Sequence, residues 1–127
     1  MDKNELVKLA IEAREKSYSP YSLFRVGAAL LTSSGRVYKG CNIENKAFSP
    51  TNCAERTAFF SAVANGEREF SAIAVVGGED GIKDFCPPCG VCRQVMSEFC
   101  KNDFEIYLFN GQEIKTYTLG ELLPNSF

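Results

Sequence analysis

A chain of 127 residues, 45% hydrophobic and 24% charged, has the length of one folded domain spanning 1–127 and an ordinary globular composition, which argues against disorder. Its formal net charge of -2 comes without a lysine/arginine cluster, so nucleic acid is not the expected partner, and no apolar run approaches the ~18 residues of a membrane span. Six cysteines and no histidine remove imidazole from catalysis and require any zinc site to use Cys, Asp or Glu. The acidic N-terminal stretch lacks the pattern of a signal peptide, so a cytoplasmic location with reduced thiols is expected.

Asp2 followed by Glu5 offers a helix start, and Leu6, Leu9, Ala10 and Ala13 recur at helical spacing, predicting a first helix over residues 3–16. Ser19-Pro20-Tyr21-Ser22 breaks it. Two runs, 24–32 and 37–41, flank Ser33-Ser34-Gly35-Arg36 as a hairpin would. After a loop containing Asn45, Ser49 and Pro50, a second helix is predicted over 53–65, starting at Cys53 and stopped by Gly66. Residues 72–76 form a wholly apolar strand, as expected where both faces are covered, and 77–84 read as a glycine-rich loop. Pro87-Pro88 opens a third helix, about 90–100. Strands over 105–109 and 114–117 follow, separated by Asn110-Gly111, and Thr118 with Glu121 starts a final helical turn. Interleaved helices and five strands predict an α/β fold of three layers, α/β/α, around a central mixed five-stranded sheet.

The chemistry concentrates at two helix starts. Cys53-Ala54-Glu55 opens one, and Pro88-Cys89-Gly90-Val91-Cys92 opens the other. Three thiolates make an open zinc site, which leaves the fourth tetrahedral position for water, whereas structural sites are closed by four ligands. Helix N-termini favour negative charge, so Cys53, Cys89 and Cys92 stand where thiols ionise readily. Glu55, two residues from a ligand, is the candidate proton carrier in a chain without histidine. Arg56 could donate to the thiolates and offset the negative charge of a three-thiolate zinc site. Cys86 creates a second pair, Cys86-Pro87-Pro88-Cys89, but proline lacks the N–H that would support a thiolate, so Cys89 and Cys92 are favoured. Cys41 and Cys100 read as small buried hydrophobes.

Cys53-Ala54-Glu55-Arg56-Thr57-Ala58, Pro88-Cys89-Gly90-Val91-Cys92-Arg93-Gln94 and Gly40-Cys41-Asn42-Ile43-Glu44-Asn45 resemble the signature stretches of small homotetrameric cytidine deaminases. Tyr18-Ser19-Pro20-Tyr21-Ser22, Phe24-Arg25-Val26-Gly27-Ala28-Ala29 and Glu121-Leu122-Leu123-Pro124 extend the likeness over nearly the whole chain. The resemblance implies one zinc per subunit and hydrolytic deamination of cytidine and deoxycytidine in pyrimidine salvage, with a carboxylate that is not a metal ligand moving protons. It further implies that Asn42 and Glu44 bond the ribose hydroxyls, that Phe24 packs on the pyrimidine and that the Ala54 backbone helps read the base. Phe48 and Phe127 resemble positions that reach a neighbouring subunit's site, so the expected assembly is a homotetramer.

Other functions predict other observations. A structural zinc module needs a fourth ligand, for which Cys86 is the nearby thiol, and a dithiol redox protein pairs Cys89 with Cys92 and binds no zinc. Within the deaminases, an enzyme for blasticidin S or a nucleic-acid editor would share the thiolates and the glutamate. Asn42-Ile43-Glu44-Asn45 and the acidic balance favour a free nucleoside as substrate.

Overall fold

In a computed structural model that describes residues 1–127, every element packs on one five-stranded sheet of order β2-β1-β3-β4-β5. The strands are β1 (Arg25–Thr32), β2 (Val37–Cys41), β3 (Phe70–Gly78), β4 (Glu105–Phe109) and β5 (Ile114–Thr118), and the helices are α1 (Lys3–Arg14), α2 (Ala54–Ala64), α3 (Gly90–Phe99) and α4 (Leu119–Leu122). β3 and β4 are parallel and the other pairs antiparallel, so the sheet is mixed, as the interleaving of elements predicts.

The alternation of side chains along β3 builds the layers. Ile73 and Val75 face one way and join Leu30, Ile106 and Leu108 beneath α2, α3 and α4, with Phe59, Met96 and Leu119 filling the space. Ala72, Ala74 and Val76 face the other way and meet Leu6, Val7 and Ala10 of α1. Burial on both faces is why this strand is apolar throughout.

Local chemistry sets the ends of the elements. Asp2 accepts a hydrogen bond from the Glu5 amide at 2.9 Å and starts α1, which stops at Arg14, short of the expected residue 16, because the chain tightens into a turn in which Lys16 N–H reaches Ala13 O. β3 runs through Gly77 and Gly78, predicted as loop, because β1 supplies partners: Val26 pairs with Gly77 and Arg25 with Gly78. Tertiary pairing overrides the poor strand propensity of glycine. Thr118 and Glu121 form a reciprocal capping box at α4.

This topology gathers the start of β1, the end of β2 and the end of β3 at one edge of the sheet. The loops into α2 and α3 leave from the same edge, so the N-termini of both helices converge there, beyond the carboxyl end of β3. Gly40 of β2 lets α2 come close: a Cβ there would lie 2.4 Å from Ala54 O and 2.5 Å from Ala58 N.

Candidate metal and proton-transfer site

Cys53 and Cys89 occupy equivalent places, each the N-cap of its helix, with extended backbone and no hydrogen bond from the side chain to the cap. Both sulfurs are therefore free to face the gap between the helices. Cys92, in the first turn of α3, is buried behind them. The Sγ atoms of Cys53 and Cys89 are 3.7 Å apart, those of Cys89 and Cys92 3.5 Å, and all three lie within 4.8 Å of one another. A tetrahedral zinc with Zn–S bonds of about 2.3 Å requires sulfurs about 3.8 Å apart, so the donor set fits the ion without rearrangement.

Electrostatics likewise call for a cation among the sulfurs. The Cys53 thiol is held down to about 5, first by its hydrogen bond with Cys92 and then by the Arg56 guanidinium, whose Nη2 lies 3.2 Å from the sulfur. Cys92 is pushed up, first because its proton bonds Cys53 and then by burial. Three sulfurs so close can all be thiolates only when a cation sits among them. Arg56 supplies part of that charge, and its buried Nε has no protein partner, so the guanidinium keeps one donor to spare beside the thiols.

Glu55 is 5% exposed, and its carboxyl is raised to about 7, first by burial and next by the charge of Cys53. A carboxyl that exchanges its proton near neutral pH suits general acid-base work. The loop leading into α2 is tied down by Asn52, whose Nδ2 donates to Thr57 Oγ1, and by Thr57, whose hydroxyl and amide both donate to Cys53 O.

Cys86 stands apart from the three-sulfur group. Its thiol packs over Gly77 beside the Phe24 ring and is pushed up to about 12, first by burial and next by Glu55. The structure thus gives no fourth sulfur to a closed zinc site. Cys53 lies almost as near to Cys89 as Cys92 does (3.7 against 3.5 Å), an arrangement for which a dithiol redox pair has no use.

Phe24, at the mouth of β1, is part-exposed and lines an open pocket of about 330 Å³ with Gly77, Gly78 and the loop to Phe85. Arg14, a buried guanidinium, clamps that mouth by donating to Arg25 O at 3.1 Å and Gly78 O at 2.7 Å. Asn42 is buried: its Oδ1 accepts from Ser17 Oγ and from Val26 N–H, and its Nδ2 donates to Phe24 O at 2.8 Å, leaving one amide hydrogen uncommitted. Glu44 is half-buried and accepts from the Tyr21 and Ser22 amides and the Ser22 hydroxyl, the last of which lowers its pKa most. As the first residue of α2, Ala54 has an N–H with no intrahelical acceptor. Phe48, at a left-handed φ of 59°, is 82% exposed, and the Phe127 ring lies wholly in solvent.

The sequence pattern carries no signal for Ser22 or Arg14 as supports of the site, because each acts on a partner that only folding brings near. Thr57 differs: its i–4 relation to Cys53 could have been read from helical spacing. A larger cavity, about 420 Å³, lies at the opposite edge of the sheet around Arg68, Phe70 and Cys100, remote from the thiols and Glu55.

A family model described as the cytidine and deoxycytidylate deaminase zinc-binding region matches residues 1–108. A cytidine deaminase of Sporosarcina psychrophila is 52% identical, with 100% of this chain and 92% of that protein covered. One from Halalkalibacterium halodurans is 53% identical, covering 100% and 95%. A crystal structure of cytidine deaminase from Burkholderia pseudomallei superposes with a TM-score of 0.92 at 51% identity, over 100% of both chains.

Proposed function

The chain belongs to the cytidine and deoxycytidylate deaminase family, and from that premise we propose how its own residues divide the work of the reaction. It is a zinc-dependent enzyme that hydrolyses the amino group from cytidine and deoxycytidine, giving uridine or deoxyuridine and ammonia. The observation that carries this reading is the meeting of three thiols from two helix N-termini with one buried carboxyl, Glu55. Cys53, Cys89 and Cys92 hold one zinc per chain, and zinc there supplies the Lewis acidity that makes water a nucleophile near neutral pH.

Glu55 takes the proton from the attacking water through a carboxylate oxygen and passes it to N3 of the pyrimidine. As the water oxygen bonds C4, Glu55 is left deprotonated; it then takes the proton of the new C4 hydroxyl and delivers it to the departing amine as the C4–N bond breaks and the C4 carbonyl forms. Glu55 suits both directions because its proton affinity lies close to neutrality. Arg56 tempers the charge of the thiolates. Phe24 packs against the ring, and the Ala54 N–H reads the base edge. The remaining amide hydrogen of Asn42 and the one lone pair of Glu44 left by Tyr21 and Ser22 bond the ribose hydroxyls.

The assembly we propose is a homotetramer of single catalytic domains with shared sites. Phe48 and Phe127 lie in solvent in the single chain, and Phe60 and Val91 add apolar exposure on α2 and α3, a surface suited to burial against other copies. No helix is long and apolar enough to cross a membrane, and a trio of thiols must stay reduced to hold zinc, so we place the enzyme in the cytoplasm, in nucleoside salvage. The test is to incubate zinc-loaded protein with cytidine, deoxycytidine and blasticidin S while following ammonia. Release from both nucleosides and not from blasticidin S is expected. Release from blasticidin S alone, or protein that takes up no zinc, would overturn the reading.

A further inference from the structure

We infer that Arg93 is a positioning residue of the metal site: it locks the turn that presents Cys89 and ties that turn to the C-terminal helix. The inference rests on the zinc reading above and assigns the residue a task beyond it.

Pro87 and Pro88 have no N–H groups, so the segment leading to Cys89 cannot anchor itself through its own donors. Pro88 is fully buried, and a buried carbonyl needs a donor. Arg93 provides it: Nε donates to Pro88 O at 2.7 Å, and the Arg93 backbone N–H donates to Cys89 O at 3.0 Å. The two carbonyls that bracket the Cys89 backbone are thus held by one residue. Rotation of the Pro88-Cys89 peptide, which would swing the exposed Cys89 sulfur away from Cys53, breaks the side-chain bond to Pro88 O, while the backbone bond to Cys89 O holds the far side of the residue in α3.

The other arm of the guanidinium donates from Nη1 to Leu122 O at 2.7 Å, at the end of α4, where Leu123 N–H also closes on Leu119 O. None of the ion pairs in the structure involves Arg93, so its cationic head is spent on carbonyls alone. A planar fork with fixed donor directions can serve two acceptors at once, and a lysine cannot reproduce that. The segment that leads to Phe127 therefore departs from a point fixed to the turn carrying two of the three thiols.

The test compares Arg93→Lys and Arg93→Gln with wild type in zinc release to a chromophoric chelator, in the visible spectrum of the cobalt-substituted protein and in steady-state kinetics. Arg68→Lys is the control, since Arg68 also braces carbonyls, those of Val63 and Glu67, but away from the metal site. Both Arg93 variants should release zinc about 10–100-fold faster. They should also show shifted cobalt bands and lose kcat with KM changed by less than about threefold, while the control moves none of these. Folded Arg93 variants with zinc release within about twofold of wild type and an unaltered cobalt spectrum would overturn the inference. So would a control that behaves as they do. Wild-type protein without zinc would instead defeat the functional reading, so the two failures are distinguishable. Should glutamine prevent folding, the lysine variant, which keeps the charge and one donor, decides alone.

Discussion

Glu55 shows how much one residue's surroundings determine. Burial and the neighbouring Cys53 charge lift its carboxyl from an ordinary 4.5 to about 7, so the folded protein holds that proton where the unfolded chain has released it. The stabilisation is complete below pH 4.5 and is lost as pH rises through 7, and the shift corresponds to about 3 kcal/mol. Cys53, lowered to about 5, works in the opposite sense, adding stability as pH rises from there toward 9. Comparing zinc-stripped wild type with Glu55→Gln, which mimics the protonated acid, isolates the glutamate. The stability of wild type relative to the variant should fall by up to about 3 kcal/mol between pH 4.5 and 7 in urea titrations, whereas parallel pH profiles would show that the carboxyl is not perturbed. The thiols and Glu55 were legible in the sequence as candidates, because metal ligation demands particular residue types, here at helix starts, and the carboxylate stands two residues from one of them. The supports were not, since Ser22 beneath Glu44 and the Ser17 and Val26 partners of Asn42 are ordinary residues given meaning by contacts across the fold.

At the level of elements, the site is a meeting of two helix N-termini, and what brings them together is sheet chemistry. Periodicity, one unbroken apolar run and turn or cap signals located every strand and helix, and β2 and β4 fall on the residues expected, since each is bounded by clear turn signals. The ends that differ are those decided by partners: β3 lengthens through two glycines because β1 pairs with them, and α1 shortens into a turn. Nor could periodicity show how tightly α2 lies on β2. Gly40 permits that approach, and because the atoms a Cβ would strike are backbone atoms of Ala54 and Ala58, relief requires moving the helix that carries Glu55 and follows Cys53. Gly40→Ala should therefore cost about 1–3 kcal/mol, measured by urea unfolding, and should also weaken zinc binding in a chelator competition. Unchanged stability and affinity would mean that α2 is not pinned where the structure puts it.

For the molecule as a whole, the division of labour is spatial. One edge of the sheet carries the thiols, Glu55, Phe24, Asn42 and Glu44, while the opposite edge carries a cavity without a comparable donor set. The reaction class follows from the first edge because a cation held by three sulfurs and a buried acid of near-neutral proton affinity answer the two needs of amine hydrolysis, an activated water and a proton carrier. The exposed aromatic rings at Phe48 and Phe127 belong to this scale too, since the single chain leaves both in solvent. The central claim is that metal holding and proton transfer are separate tasks of separate residues. The most direct measurement is zinc content together with cytidine turnover in Glu55→Gln. One zinc per chain with turnover reduced by about 10²–10⁴-fold or more is predicted, and near-normal turnover in zinc-loaded variant protein, or loss of the metal itself, would contradict the claim.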